Sequence, residues 1–190
     1  MLLQLSYLDF KIMQHLLLFL LLVTPPSAAP RKLMADKTAS TVTYAMKHPL
    51  HAWEGLSRDV NCAALYNDDT KQLENVAVAV KLSTFDSKDA NRDSHGLEVM
   101  EAIKFPTVTF SSQSIKANAD GSLTATGKLT YHGQTKPITI QAIRRDEAGK
   151  VILTGGFTYN LTDFNVERPS LMGLKTEDEV KMKFTVVFKI

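Results

Sequence analysis

Leu123-Thr124-Ala125-Thr126-Gly127-Lys128-Leu129-Thr130-Tyr131-His132 alternates apolar with polar residues without a break. Successive side chains of an extended strand point to opposite faces. This order therefore puts Leu123, Ala125, Gly127, Leu129 and Tyr131 on one side and threonine, lysine and histidine on the other. The stretch reads as a strand with one dry face.

Downstream, Val151, Leu153, Gly155, Phe157, Tyr159 and Leu161 follow the same rule, and so do Val180, Met182, Phe184, Val186, Phe188 and Ile190 against Lys181, Lys183 and Lys189. Upstream it holds for Val42, Tyr44 and Met46, and for Val76, Val78, Val80 and Leu82. Segments near Glu54 to Leu65, Pro106 to Lys116 and Pro137 to Arg144 bring the total to about eight strands, the spacing of an all-β sandwich or barrel. Asn67-Asp68-Asp69, Asp120-Gly121, His132-Gly133 and Glu147-Ala148-Gly149 supply hairpin turns, so neighbouring strands run antiparallel. Ser94 to Ala102 alone departs from period two. Leu97, Val99, Met100 and Ile103 there predict one short amphipathic helix capped by Ser94 or Asp93. No linker follows residue 40.

Each strand has one apolar face, and closing the sheet into a barrel brings those faces together and removes the edges. At about eight strands the interior is either filled by side chains or just wide enough for one small ligand. Small inward residues (Ala125, Gly127, Ala142, Gly155) stand beside large ones (Phe110, Phe157, Phe184). That mixture fits a tapering core as well as an open cavity. Leucine at Gly127 or Gly155 would obstruct a guest if the glycines face open space, and would overpack the strand if they mark a close backbone approach. A guest would be mostly hydrocarbon, because an unpaired polar group is costly to bury.

The chain has 190 residues with 22 Lys+Arg against 20 Asp+Glu, a formal charge of +2 that argues against nucleic acid as a partner. One cysteine, Cys62, excludes an internal disulfide and a cysteine-built metal site. No nucleophile elbow, phosphate-cradling glycine loop or paired-histidine zinc motif is present, and no cofactor is implied. Arg92, Asp93 and His95, with Glu98 and His48, can be drawn as an acid and base set. A structural role at the helix start accounts for them as well. His48 and His51 flank Pro49, a poor arrangement for metal ligation, so no metal site is expected.

Leu16 to Val23 is an apolar run followed by Pro25-Pro26-Ser27-Ala28-Ala29. It is shorter than the roughly 20 residues of a membrane span, and residues 1–29 read as a secretory signal, with residues 30–39 an extension and residues 40–190 the barrel. Cleavage removes Lys11 and Asp9 together and leaves the net charge unchanged. The protein is expected in the periplasm or outside the cell, with no permanent membrane span.

Four stretches carry a resemblance in order. They are Thr43-Tyr44-Ala45-Met46-Lys47-His48 leading to Gly55, Asn91-Arg92-Asp93-Ser94-His95, Lys104-Phe105-Pro106-Thr107-Val108-Thr109-Phe110-Ser111-Ser112, and Gly127-Lys128-Leu129-Thr130-Tyr131-His132-Gly133-Gln134-Thr135-Lys136-Pro137. From residue 40 onward the chain resembles the YceI-like family, small secreted bacterial lipocalin-like barrels. The resemblance implies an elongated antiparallel barrel whose apolar interior takes a long-chain isoprenoid or similar amphiphilic lipid, and with the catalytic motifs absent the protein is expected not to be an enzyme. Thr162 to Pro169 and His48 to Trp53 depart from the family's pattern. The expected ligand contacts are Tyr44, Met46, Trp53, Val78, Val80, Phe110, Gly127, Leu129, Gly155, Phe157, Met182 and Phe184 on the wall. Phe164 and Met172 join them from the segment Asp163 to Asp178, which reads either as a lid or as a loop packed outside. An enzyme acting on a small hydrophobic substrate and a purely structural module are the alternatives.

Overall fold

The computed structural model describes residues 29–190. The proposed signal falls outside the described residues apart from Ala29. Ten strands form one curled antiparallel sheet: β1 (Arg31–Met34), β2 (Thr41–His48), β3 (His51–Ser57), β4 (Val60–Asn67), β5 (Gln72–Lys81), β6 (Thr107–Ala117), β7 (Ser122–Tyr131), β8 (Gln134–Glu147), β9 (Lys150–Asn160) and β12 (Glu179–Lys189). The short hairpin β10 (Ser170–Leu171) and β11 (Leu174–Lys175) stands apart, and α1 (Ala90–Val99) links β5 to β6.

The order in the sheet is β1-β4-β5-β6-β7-β8-β9-β12-β2-β3. β4 to β9 are successive hairpins. β12 then returns beside β9, from Glu179 opposite Asn160 to Lys189 opposite Lys150, and takes β2 on its other side with Phe184 opposite Val42. The curl closes where Ala35, just past β1, bridges Phe188, and where Leu56 bridges Asp86. At the first closure the Ala35 amide donates to the Cys62 carbonyl at 2.9 Å and the Asp36 amide to the Val187 carbonyl at 2.7 Å. The buried Ser40 hydroxyl accepts the Val187 amide at 3.1 Å. The all-β barrel with one helix is thus the fold.

Two differences from the sequence expectation account for ten strands rather than about eight. The segment Glu54 to Leu65 is two strands, broken at Arg58-Asp59 where the Ser57 hydroxyl accepts the Asp59 amide and pairs with Thr84. Residues 30–39 supply β1, which buries one side chain of four, Leu33, and so carries almost no period-two signal. His48 to Trp53, where the sequence departs from the family's pattern, forms the β2–β3 hairpin, His48 pairing with His51 across a two-residue turn at Pro49-Leu50.

The helix starts earlier than expected. Asp89 is the N-cap, its carboxylate accepting the Arg92 amide at 3.0 Å, while Asp93 in the first turn accepts the Ser87 amide. Ile103, assigned to the helix face, is fully exposed beyond the helix end.

Two clusters of buried side chains make the core. Leu33, Val42, Val60, Tyr66 and Phe188 anchor one, and Leu129, Tyr131, Leu161, Phe164 and Val180 anchor the other. The tight β7–β8 turn puts His132 and Gly133 at φ 48° and 72°, the left-handed pair a two-residue hairpin needs.

Candidate functional site

Inward positions of the strands enclose a cavity of about 580 Å³, within the range of roughly 300–1,000 Å³ typical of small-molecule pockets. Val42, Tyr44 and Met46 face it from β2, Val76, Val78 and Val80 from β5, Leu123, Ala125 and Leu129 from β7, and Val180, Met182, Phe184 and Val186 from β12. On β6 the inward residues switch from even to odd numbers, Phe110 then Ile115, because the register slips between Ser112 and Ser114. Such a bulge leaves one residue unpaired and so exchanges the faces beyond it.

Ten of the fourteen expected contacts line this cavity: Tyr44, Met46, Trp53, Val78, Val80, Phe110, Leu129, Phe157, Met182 and Phe184. Gly127 and Gly155 do not, although they lie on inward positions. A methyl group on Gly127 would overlap the Ser111 carbonyl oxygen and stand 2.7 Å from the Phe110 ring. One on Gly155 would overlap the Gln141 carbonyl and stand 2.7 Å from the Phe184 ring. Gly55 is covered by the Tyr44 ring in the same way. Each glycine is a seat for an aromatic ring, so the close-approach account of Gly127 and Gly155 holds and the open-space account does not.

Phe164 is 2% exposed and packs behind the wall, its ring 5.6 Å from Tyr131 and 5.5 Å from Tyr159. Met172 is 86% exposed at the tip of the β10–β11 hairpin, where φ is 53° and the side chain meets solvent. From the same segment Pro169, Ser170, Leu171 and Thr176 reach the cavity instead, so it contributes both to the core and to the lining.

Polar lining gathers at one end, where α1, the β2–β3 hairpin and the β10–β11 hairpin meet, and this marks the mouth. Asp89, Asn91, Arg92, Asp93 and His95 come from α1 and its cap, and His48, His51 and Trp53 from the β2–β3 hairpin. Arg92 donates to the Ser87 hydroxyl at 2.9 Å and the Ser87 carbonyl at 2.8 Å, and its guanidinium lies 5.5 Å from the centre of the Trp53 ring. Nδ1 of the buried His48 accepts the Leu50 amide at 3.2 Å. The proton therefore sits on Nε2, which donates to the Leu174 carbonyl at 3.0 Å and ties the two hairpins together. Arg168 donates twice to the Thr176 carbonyl, and the Glu177 amide donates to the Lys47 carbonyl at 2.7 Å.

Among the described residues no hydrogen bond joins Arg92, Asp93, His95 and His48 to one another, and His95 stands 3.8 Å from Glu98. Arg92 and Asp93 bond to Ser87, His48 bonds to backbone groups, and His95 faces the surface carboxylate of Glu98. No cluster of three or more metal-ligating side chains occurs among the described residues.

The sequence reading passed over two phenols. Tyr131 and Tyr159 line the cavity with ring centres 5.8 Å apart, and burial raises both phenol pKa values well above the usual tyrosine range. The alternation had already placed both on the inward face. What it lacked was any sign that the buried Tyr131 hydroxyl has no partner. Cys62, also in the wall, has its thiol pushed up to about 12 by burial and is no nucleophile at neutral pH.

A profile of the YceI-like domain matches residues 34–188. The chain belongs to the YceI-like family. Protein YceI of Salmonella newport is 32% identical over 127 residues, 64% of this chain and 66% of that protein, and Protein YceI of Salmonella arizonae matches to the same extent. The alignment thus spans just under two thirds of these relatives' length.

Solved structures share the fold at lower identity. BcnA of Burkholderia cenocepacia superposes with a TM-score of 0.72 at 20% identity, covering 80% of this chain and 98% of that one. A polyisoprenoid binding domain from Saccharophagus degradans, described as implicated in plant cell wall breakdown, superposes at 0.64 with 12% identity, over 83% of this chain and 97% of that one. The YceI protein of Campylobacter jejuni superposes at 0.63 with 19% identity, over 72% and 84%.

Proposed function

We propose that this YceI-like protein binds a long-chain isoprenoid or similar amphiphilic lipid in its barrel and carries or sequesters it in the periplasm or outside the cell. The observation that carries this reading is the wall itself, hydrocarbon along its length with every permanent charge held to one end. Each 100 Å² of ligand hydrocarbon taken from water contributes roughly 2.5 kcal/mol, less the loss of freedom of a flexible chain. The polyisoprenoid binding described for the Saccharophagus degradans domain, a relative in fold, is extended to this chain on that basis.

On this reading the protein is a carrier and no side chain performs chemistry. The hydrogen bonds of His48, Arg92 and Asp93 hold the mouth together and leave no acid and base facing a common reacting atom. The secretory reading of residues 1–29 supplies the location.

Native mass spectrometry of the protein purified from its own host, before and after solvent extraction, tests the binding. A copurifying lipid mass that extraction removes is expected, and an identical ligand-free mass in both samples overturns it. Sequencing the mature N-terminus tests the export, which fails if residues 1–29 are retained.

A further inference from the structure

His48 and His132 both tie segments together at the mouth end of the barrel, but their rings meet different groups. His48 faces one donor and one acceptor, which a neutral imidazole satisfies. His132 faces two acceptors. Its Nδ1 lies 3.1 Å from the Phe164 carbonyl oxygen and its Nε2 2.8 Å from the Glu101 carboxylate, with only 10% of the side chain exposed. A neutral ring carries a single N–H, so it makes one of these bonds and turns a lone pair toward the other oxygen. Both bonds form only when the ring holds two protons.

The two bonds join three segments. His132 belongs to the β7–β8 turn, Phe164 ends the single helical turn Thr162–Phe164, and Glu101 lies just past α1. Glu101 and His132 meet from left-handed residues, φ 45° and 48°, and the Phe105 ring packs on Gly133 and 4.5 Å from the imidazole.

What this junction holds in place is α1. Arg92, Leu97, Val99 and Met100 line the cavity, yet no residue of the helix is buried. Its start is bonded to its own entry loop, through Asp89 and Ser87. Among the described residues, His132 to Glu101 is the one side-chain hydrogen bond from residues 90–105 to a strand or hairpin of the barrel. An element with so little burial opens at low cost once such a bond is lost.

The geometry points to α1 as a lid over the cavity, latched by a doubly protonated His132 between Glu101 and Phe164 and released when the ring gives up one proton. The latch rests on the lipid-binding reading only for what passes beneath the lid. Imidazole is the side chain whose charge ordinarily changes between about pH 5 and 8, so the lid is shut on the acid side of that range and free on the alkaline side. The other ionisable groups on the packed elements are Lys104, whose ammonium lies 4.8 Å from the centre of the Phe105 ring, Asp163, which accepts from Asn160, and the Tyr131 phenol, kept neutral by burial. On α1, Glu98 faces His95 instead.

Two arms test the latch. In the ligand-free full chain, nitrogen NMR of the His132 ring should report two protons at about pH 5 and one at about pH 8, and the amides of residues 90–105 should lose protection over the same range. In the second arm the protein is loaded with diphenylhexatriene, an uncharged hydrocarbon probe, and transfer to excess phosphatidylcholine vesicles is timed. Transfer should quicken about tenfold across that range, the scale of one charge-assisted hydrogen bond. His132→Asn, which suits the left-handed turn, should be fast throughout. Glu101→Gln should be slow throughout, because its amide can donate to a neutral ring whose other nitrogen still donates to Phe164.

A His132 ring with a single proton at the acid end overturns the proposal. So does transfer that is flat with pH in the unaltered protein, or a step of equal size that survives in both variants. If diphenylhexatriene does not enter the cavity, the lipid-binding reading fails, and the ring protonation and amide protection still decide the latch.

Discussion

The wall built by β7, β8, β9 and β12 and the mouth built around α1 are held by different forces. In the wall β12 and β9 pair over their full length and β7 pairs with β8 along the whole of β7, and rings lie on glycines, Phe110 on Gly127 and Phe184 on Gly155. At the mouth, hydrogen bonds from single side chains to backbone groups do the joining, locally from Arg92 to Ser87 and across the fold from His48 to Leu174 and His132 to Phe164. A packed wall resists a change of volume, whereas a mouth pinned at a few points can loosen without unfolding the barrel. Changes in the wall should register as lost stability, and changes at the mouth as altered ligand exchange.

The sharpest way to break that contrast is Gly155→Leu. The added side chain has no space between the Gln141 carbonyl and the Phe184 ring, and a loss of about 3 kcal/mol is expected in denaturant unfolding of lipid-free protein. An unchanged midpoint would mean that the ring moves aside easily and that the wall is not tightly packed.

Alkaline pH probes the wall in a second way. The Cys62 thiol is raised from 9.0 to about 12 in the folded chain, so the unfolded chain loses this proton first. The stabilisation is complete below pH 9 and disappears as pH rises from 9 to 12, an effect of about 4 kcal/mol. Cys62→Ala should flatten that part of the stability curve, and the native thiol should react with thiol reagents only on unfolding.

At the mouth, Arg92→Ala should cost about 1.5 kcal/mol through the lost bonds to Ser87. It should also shift Trp53 emission and speed lipid release in stopped-flow exchange. A stability loss as large as that of Gly155→Leu would make the mouth part of the rigid wall. The smallest effect belongs to Tyr131→Phe, which deletes a partnerless hydroxyl and should leave lipid-free stability unchanged or higher by up to about 1 kcal/mol. A clear loss by calorimetry would reveal a partner for that hydroxyl.

The same division governs what the sequence makes legible. Alternation finds β7, β9 and β12 and places Tyr44, Leu129, Phe157 and Met182 on the inner face, because period two is a local property. It cannot show that Phe184 from β12 lies over Gly155 of β9, since the covering ring comes from another strand. Ile115 is hidden by the slip at Ser112, which reverses the faces midway along β6. β1 is hidden by having one buried residue. Phe164 and Met172 sit in a segment with no period, where nothing in the sequence separates a core side chain from one at a turn tip. The carboxylates that fill the start of α1 are readable as caps. That the cap is Asp89, and that Asp93 reaches back to Ser87, follows only from the folded loop.

The placement of β12 between β9 and β2 also bears on the order in which the molecule assembles. The hairpins from β4 to β9 join neighbours in sequence and can form as the chain lengthens. The β2–β3 hairpin has to wait for a partner made more than a hundred residues later, from Phe184 opposite Val42, and the bridge from Ala35 waits for Phe188. Closing so long a loop is slow, and until it happens the apolar faces stay open to water and to other chains. Ring closure is therefore the late step of assembly, and the interval before it is when the apolar faces are most open to wrong partners.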